Sequence, residues 1–206
     1  MRPARIKKAV GEASASEWNR LYSRRIIPWQ SAGLTVTARR LLHKHAAGKR
    51  LLEVGCGVGN DAKSIADMGF SYVGIDIAES AIEEARSLHS AKGIYFACTD
   101  IFRRLPDCQF DVVYDKGLFH NLGGVRRRNV FVRRIAGVLG ENGIWLTVSG
   151  SADQRREDFG HGAIYLRDLV GPAEVYFEAL EVLKGPYGLV DQEHDFSAWH
   201  AVFRRR

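Results

Sequence analysis

Glu53, Gly55, Gly57, Gly59 and Asp76 are the residues whose types and spacing can do chemistry together. Glycines at every second position make a turn that admits a ligand against the main chain or adopts positive φ. A Cβ at those positions would block one or the other. The carboxylate of Asp76, ending the next apolar run, can accept two ribose hydroxyls while the turn admits the rest of a nucleoside. Glu53, just before the turn, would repel a pyrophosphate and welcome an ammonium or sulfonium group. A second set is Asp115 and His120. An imidazole titrates near pH 6.5, about where a proton-moving base is useful. A carboxylate nearby can orient that ring or bind a cationic acceptor.

These residues need elements to place them. Leu51, Leu52 and Val54 form a short apolar run, which predicts a strand buried on both faces. A helix is expected over Asn60 to Met68, stopped at Gly69, and a second strand over Tyr72 to Ile75 ending in Asp76. Further on, a helix over Ser80 to Ser90, a strand over Ile94 to Cys98, a strand over Phe110 to Asp115, a helix over Gly124 to Leu139 and a strand over Ile144 to Ser149 continue the alternation. Gly140 to Gly143 reads as a turn. Ser151 to Gly162 is polar and reads as a loop that orders with substrate. A short helix over Tyr165 to Val170 stops at Gly171-Pro172, and the last strands are Tyr176 to Leu183 and Ala198 to Phe203. Parallel α/β sheets bind ligands beyond the carboxyl ends of their strands, so Asp115 and His120 are expected at the mouth of the site. At the N-terminus, Ser16 is the expected cap of a helix running to Arg24, with a second helix over Thr35 to Ala47.

The glycine order separates two cofactor classes. A dinucleotide fingerprint needs G-x-G-x-x-G; here the third glycine comes one place early and Asn60 stands where close helix–strand contact needs glycine. Glu53, Gly55, Gly57 and Gly59 instead match E/D-x-G-x-G-x-G position for position. In this the sequence resembles the class I S-adenosylmethionine-dependent methyltransferases, from about Trp18 to the C-terminus. The resemblance implies an α/β fold: a Rossmann-like, doubly wound, mostly parallel seven-stranded sheet with an antiparallel C-terminal strand. It implies S-adenosyl-L-methionine as cofactor, with Glu53, Gly55, Cys56, Gly57 and Gly59 on its aminoacyl and sulfur side. Asp76 and Ile77 would hold the ribose, and Asp100 and Ile101 the adenine. Trp18, Arg20-Leu21-Tyr22 and Pro28-Trp29 loosely resemble the W…RY…PW segment of small-molecule, thiopurine-type members. On that likeness Tyr22, Trp29 and His120 would contact the acceptor, Trp29 and Asp115 would also touch cofactor, and His120 with Asp115 would be the catalytic pair. Two alternatives stay open: His120 packs or contacts cofactor without moving a proton, and the N-terminal aromatics anchor their helix to the core.

The 206 residues, 46% hydrophobic and 26% charged, suit one folded domain. It reads as a flexible tail over 1–15, a helical lid over 16–48 and a catalytic core over 49–206. Three scattered cysteines, Cys56, Cys98 and Cys108, point to a reduced, cytoplasmic protein without a disulfide framework. No apolar run is long enough to span a membrane, and no spacing reads as a metal site. The net charge of +6 comes with arginine clusters such as Arg126-Arg127-Arg128. Because these are dispersed, solvated faces are the expectation over a nucleic-acid surface. The expected partner is a small-molecule acceptor. The rivals are an RNA or protein methyltransferase using the arginines, a non-catalytic S-adenosylmethionine-binding protein and, against the glycine spacing, an NAD-dependent oxidoreductase.

Overall fold

The computed structural model describes residues 14–104, 106–154, 162–191 and 195–206. Its strands are β1 (Arg50–Val54), β2 (Ser71–Asp76), β3 (Ile94–Cys98), β4 (Phe110–Lys116), β5 (Leu139–Gly150), β6 (Phe177–Pro186) and β7 (Ser197–Arg205). They form one sheet in the order β3-β2-β1-β4-β5-β7-β6. β1 to β5 pair in parallel, and β7 is antiparallel to both of its neighbours. This is the expected mostly parallel, seven-stranded Rossmann-like sheet. From β1 the chain winds outward through β2 and β3, then crosses back to β4 on the other side of β1. The order therefore reverses between β1 and β4, and a crevice opens at their carboxyl ends.

Alternate residues of each strand feed opposite faces. Leu51, Tyr72, Val112 and Leu146 join one core cluster, while Leu52, Ile75, Val113 and Trp145 join the other. Trp145 is fully buried and stacks on Phe203 at 5.1 Å. A buried indole N–H needs an acceptor, and Asp115 Oδ2 takes it at 2.8 Å.

The helices are α1 (Ala15–Ser23), α2 (Val36–His45), α3 (Ala62–Ala66), α4 (Glu79–Leu88), α5 (Gly124–Val138) and α6 (Leu166–Glu174). Several boundaries differ from expectation. The cap of α1 is Ser14, not Ser16, because Glu17 completes a capping box: its N–H reaches Ser14 Oγ and its carboxylate accepts the Ser14 N–H at 2.7 Å. α3 is shorter than Asn60 to Met68, since Ala62 still donates to the Gly59 carbonyl at 3.0 Å as part of the glycine turn. β5 begins at Leu139, which pairs with Phe110 before a register shift, and Asn142 takes a left-handed φ of 58° within it. α6 continues through Gly171 and Pro172, held by buried Leu169 and Ala173. Residues 1–13 of the tail expected over 1–15, and 155–161 of the polar loop, lie outside the described residues, while Ser14 and Ala15 already belong to the start of α1.

Candidate functional site

The crevice between β1 and β4 opens into a cleft. Its floor is the glycine turn after β1. Gly55, Gly57 and Gly59 adopt φ of +74°, +54° and +76°, a region costly for any residue bearing a Cβ. Space adds a second reason. A Cβ on Gly57 would lie 2.7 Å from the Tyr22 hydroxyl, and one on Gly55 would lie 3.1 Å from Leu118 Cβ. The turn is thus kept bare for its neighbours as well as for its backbone.

Asp76 closes one side. Oδ2 accepts the Gly57 N–H at 2.9 Å and Oδ1 the Ala78 N–H at 2.9 Å, so the strand-tip carboxylate is fixed against the glycine turn. Each oxygen retains acceptor capacity toward the cleft. Burial pushes this carboxyl up from its ordinary value, and the N–H groups of Ala78, Gly57 and Ile77 pull the other way. Ile77, Thr99, Asp100, Ile101 and Phe102 continue the same wall. Asp100 Oδ1 takes the Phe102 N–H at 2.8 Å, which folds that turn.

Behind the turn lies a second cavity of about 460 Å³, lined by Glu53, Asp61 and Lys116 among others. Glu53 is buried and accepts the Tyr72 hydroxyl at 2.6 Å. Burial pushes its carboxyl well above the ordinary range, and Asp61 adds to that, against the Tyr72 hydrogen bond and the charge of Lys116. Asp61 Oδ2 accepts the Tyr114 hydroxyl at 2.7 Å, while its Oδ1 is buried without a hydrogen-bond partner. Two carboxyl groups so close together favour keeping one of them neutral unless a cation joins them. Cys56 also lines this cavity, and burial pushes its thiol up, away from thiolate chemistry.

The roof comes from the N-terminal segment. Trp18 and Trp29 meet edge to face at 5.4 Å, and Trp29 Nε1 donates to the Tyr22 hydroxyl at 3.4 Å. Trp18, Tyr22 and Trp29 all line the main cleft; Tyr22 and Trp29 line the second cavity too. Trp18 and Tyr22 also pack on Val58, Ala78 and Ala81, so the same aromatics anchor and cover.

The pair expected at the mouth is divided. His120 lines the cleft, but its Nδ1 accepts the Gly150 N–H at 2.7 Å. Asp115 lines neither cavity. It is wholly buried, with Oδ1 on the Phe119 N–H at 3.0 Å and Oδ2 on the Trp145 indole. Burial pushes its carboxyl up to about 6. The expectation that Asp115 orients His120, contacts cofactor or binds the acceptor is corrected: β4 ends one residue later than expected, at Lys116, and Asp115 points into the core. Sequence reasoning also passed over Asp61, Lys116, Leu118 and Tyr187. Asp61 carried a signal, as an acidic residue directly after the glycine motif. Tyr187 carried none beyond its turn, yet it stacks on Phe196 at 4.6 Å and walls the cleft.

A doubly wound sheet with a bare glycine turn and an acidic strand tip at its switch point defines a Rossmann-like fold of the nucleoside-cofactor kind. Residues 52–147, a little under half of the chain, match the family described as "Methyltransferase domain". The chain is 31% identical over 123 residues to thiocyanate methyltransferase 1 of Brassica oleracea, covering 57% of this chain and 54% of that protein. It is 27% identical over 154 residues to probable thiol methyltransferase 2 of Arabidopsis thaliana, covering 72% and 67%. The chain thus spans between about half and two thirds of the length of these two curated relatives. The N-methyltransferase NodS from Bradyrhizobium japonicum WM9, in complex with S-adenosyl-l-homocysteine, shares the fold with a TM-score of 0.70 at 17% identity, over 96% of this chain and 99% of that one.

Proposed function

We propose that this protein is a cytoplasmic S-adenosylmethionine-dependent methyltransferase acting on a small-molecule acceptor. The observation that carries the reading is Asp76, fixed against a three-glycine turn at the sheet's switch point and facing an aromatic-roofed cleft. Two features support the fit of the cofactor. Asp61 Oδ1 is a buried acceptor without a hydrogen-bond partner beside Glu53, suited to the α-ammonium of a methionyl group. Gly57 has no side chain where a Cβ would close the gap to Tyr22.

When bound, S-adenosylmethionine supplies a methyl group already activated by its sulfonium. The chain's own residues do the rest. Glu53 and Asp61 would hold the ammonium, Asp76 the ribose hydroxyls, and Asp100, Ile101 and Leu118 the base. Trp18, Tyr22 and Trp29 exclude water and confine the acceptor, whose alignment is the protein's main contribution to rate. His120 with Nδ1 engaged as an acceptor carries its neutral-state proton on Nε2, so in that state both ring nitrogens are committed and neither acts as a base. The names of the thiol and thiocyanate methyltransferases support a small acceptor. Three free cysteines accord with a reducing compartment, and among the described residues no helix is long and apolar enough to cross a membrane.

Calorimetric titration with S-adenosylhomocysteine and with NAD tests this. The expected result is binding of the first alone, weakened by at least roughly tenfold in Asp76→Ala, the equivalent of losing one charged hydrogen-bonding partner. Asp76→Asn, which keeps one backbone acceptor, is expected between the two. Binding of NAD alone would overturn the reading.

A further inference from the structure

Lys116 is a lysine whose side chain is only 4% exposed, at the end of β4, where the main cleft and the second cavity meet. A buried ammonium must spend its protons on acceptors. Nζ donates to Ser31 Oγ at 2.5 Å and to the Gly33 carbonyl at 3.0 Å. Asp61 Oδ1 stands at 3.8 Å, close enough for charge and too far for a hydrogen bond. The Tyr187 ring lies beneath, 5.4 Å from Nζ to its centroid. Both hydrogen-bond acceptors belong to the N-terminal segment, so the sheet's deepest cation is tied to the segment that roofs the site.

The same stretch is tied to the segment between β6 and β7. Ala32 donates to the Gly188 carbonyl and Val190 to the Gln30 carbonyl, each at 3.0 Å, and Ser31 bridges Leu189. Upstream, Arg25 adopts a left-handed φ of 53° between α1 and Pro28, a conformation disfavoured for a residue with a Cβ. The segment from Ile27 to Gly33 is thus a short strap with a strained turn at one end and Lys116 at the other. The cofactor-side cavity lies beneath it.

We infer that Lys116 is a positioning residue that latches this strap closed over the cofactor-side cavity and so sets how long the cofactor product stays bound. The inference rests on the methyltransferase reading for its ligand, and on the strap's own geometry for the latch. Lys116 touches the strap and Asp61 and takes no part in bond making.

Two variants and two readouts test it on the full chain. Lys116→Met removes the cation; Ser31→Ala removes one acceptor, together with that hydroxyl's own bonds to the Gly33 N–H and carbonyl, and leaves Lys116 and Asp61 in place, so it answers if the first variant fails to fold. Hydrogen–deuterium exchange in the ligand-free protein reads the latch at the Ala32 and Val190 amides. Each variant is expected to speed exchange there by about tenfold, the loss of one charge-assisted hydrogen bond, with β4 amides unchanged. Stopped-flow release of S-adenosylhomocysteine is expected to quicken by a similar factor. Wild-type exchange at both amides in Ser31→Ala would overturn the latch; so would unchanged ligand release, or faster exchange spread evenly through the sheet. Failure of the wild type to bind S-adenosylhomocysteine would sink the functional reading instead, and the ligand-free exchange would still decide the latch.

Discussion

The bond from the Gly150 N–H to His120 Nδ1, at 2.7 Å, decides what that imidazole can do. A ring nitrogen that accepts cannot also hold a proton, so neutral His120 is protonated at Nε2. Replacing His120 by Ala leaves a buried N–H without its acceptor and is expected to cost about 1–3 kcal/mol in urea unfolding. His120→Asn offers an amide oxygen and is expected to recover part of that. Neither variant should change the shape of the pH profile of kcat; a limb present in wild type and missing from both would show the imidazole moving a proton after all. The carboxylates divide in the same way: Asp76 faces the cleft with its backbone bonds already made, while Asp115 is consumed by the Trp145 indole and the Phe119 N–H.

Among the elements, α1 and α4 are joined by an exchange that serves the site. The residue at the N-cap of α4 is Ala78, which has no side chain able to cap. Asn19 on α1 supplies the missing acceptor: its Oδ1 takes the Ser80 N–H at 2.9 Å, and the Ser80 hydroxyl returns to the Asn19 carbonyl at 3.2 Å. The helix that follows Asp76 is therefore capped by the helix that carries Trp18 and Tyr22. Asn19→Ala is expected to cost about 1 kcal/mol, as loss of an N-cap does. It should also raise exchange at the Ser80 amide and weaken S-adenosylhomocysteine binding, as the roof loses a support. A thermal midpoint unchanged from wild type, with normal exchange at Ser80, would show that the cap is not in force.

For the molecule as a whole, Asp115 ties global stability to pH. Its folded carboxyl is raised from 3.8 to about 6 by burial, whereas the unfolded chain ionises near the ordinary value. Between those two values the folded state holds a proton the unfolded state has lost. The stability this group contributes is therefore present below about pH 4 and is lost as pH rises through about 6. A shift of this size corresponds to roughly 3 kcal/mol. Urea unfolding of wild type minus Asp115→Asn is expected to fall by that order between pH 4 and 7. A flat difference would mean that Asp115 is ionised in the folded state throughout.

Much of this protein was legible from local pattern. The βαβ unit, the glycine turn and Asp76 at the strand tip follow from short-range periodicity, glycine chemistry and the motif at Glu53 to Gly59, and the antiparallel C-terminal strand is what the family resemblance implies. These features are written within about one supersecondary unit at a time. Helix ends were less so, because a cap such as Ser14 with Glu17 competes with Ser16 on differences of about 1 kcal/mol. What only tertiary structure decided are the partners distant in sequence. Asp115 and His120 stand five residues apart, yet Trp145 claims one and Gly150 sets the tautomer of the other. Asp61 acquires a role from Glu53 and Lys116 across three elements, and Lys116 acquires one from Ser31 and Gly33, more than eighty residues away. Sequence by itself determined the class of ligand the turn can admit, since backbone conformation and close approach are local properties of glycine. Which side chains face that ligand, and which are spent on the core, was decided by packing, because a buried polar group takes whatever partner the fold brings within hydrogen-bonding distance.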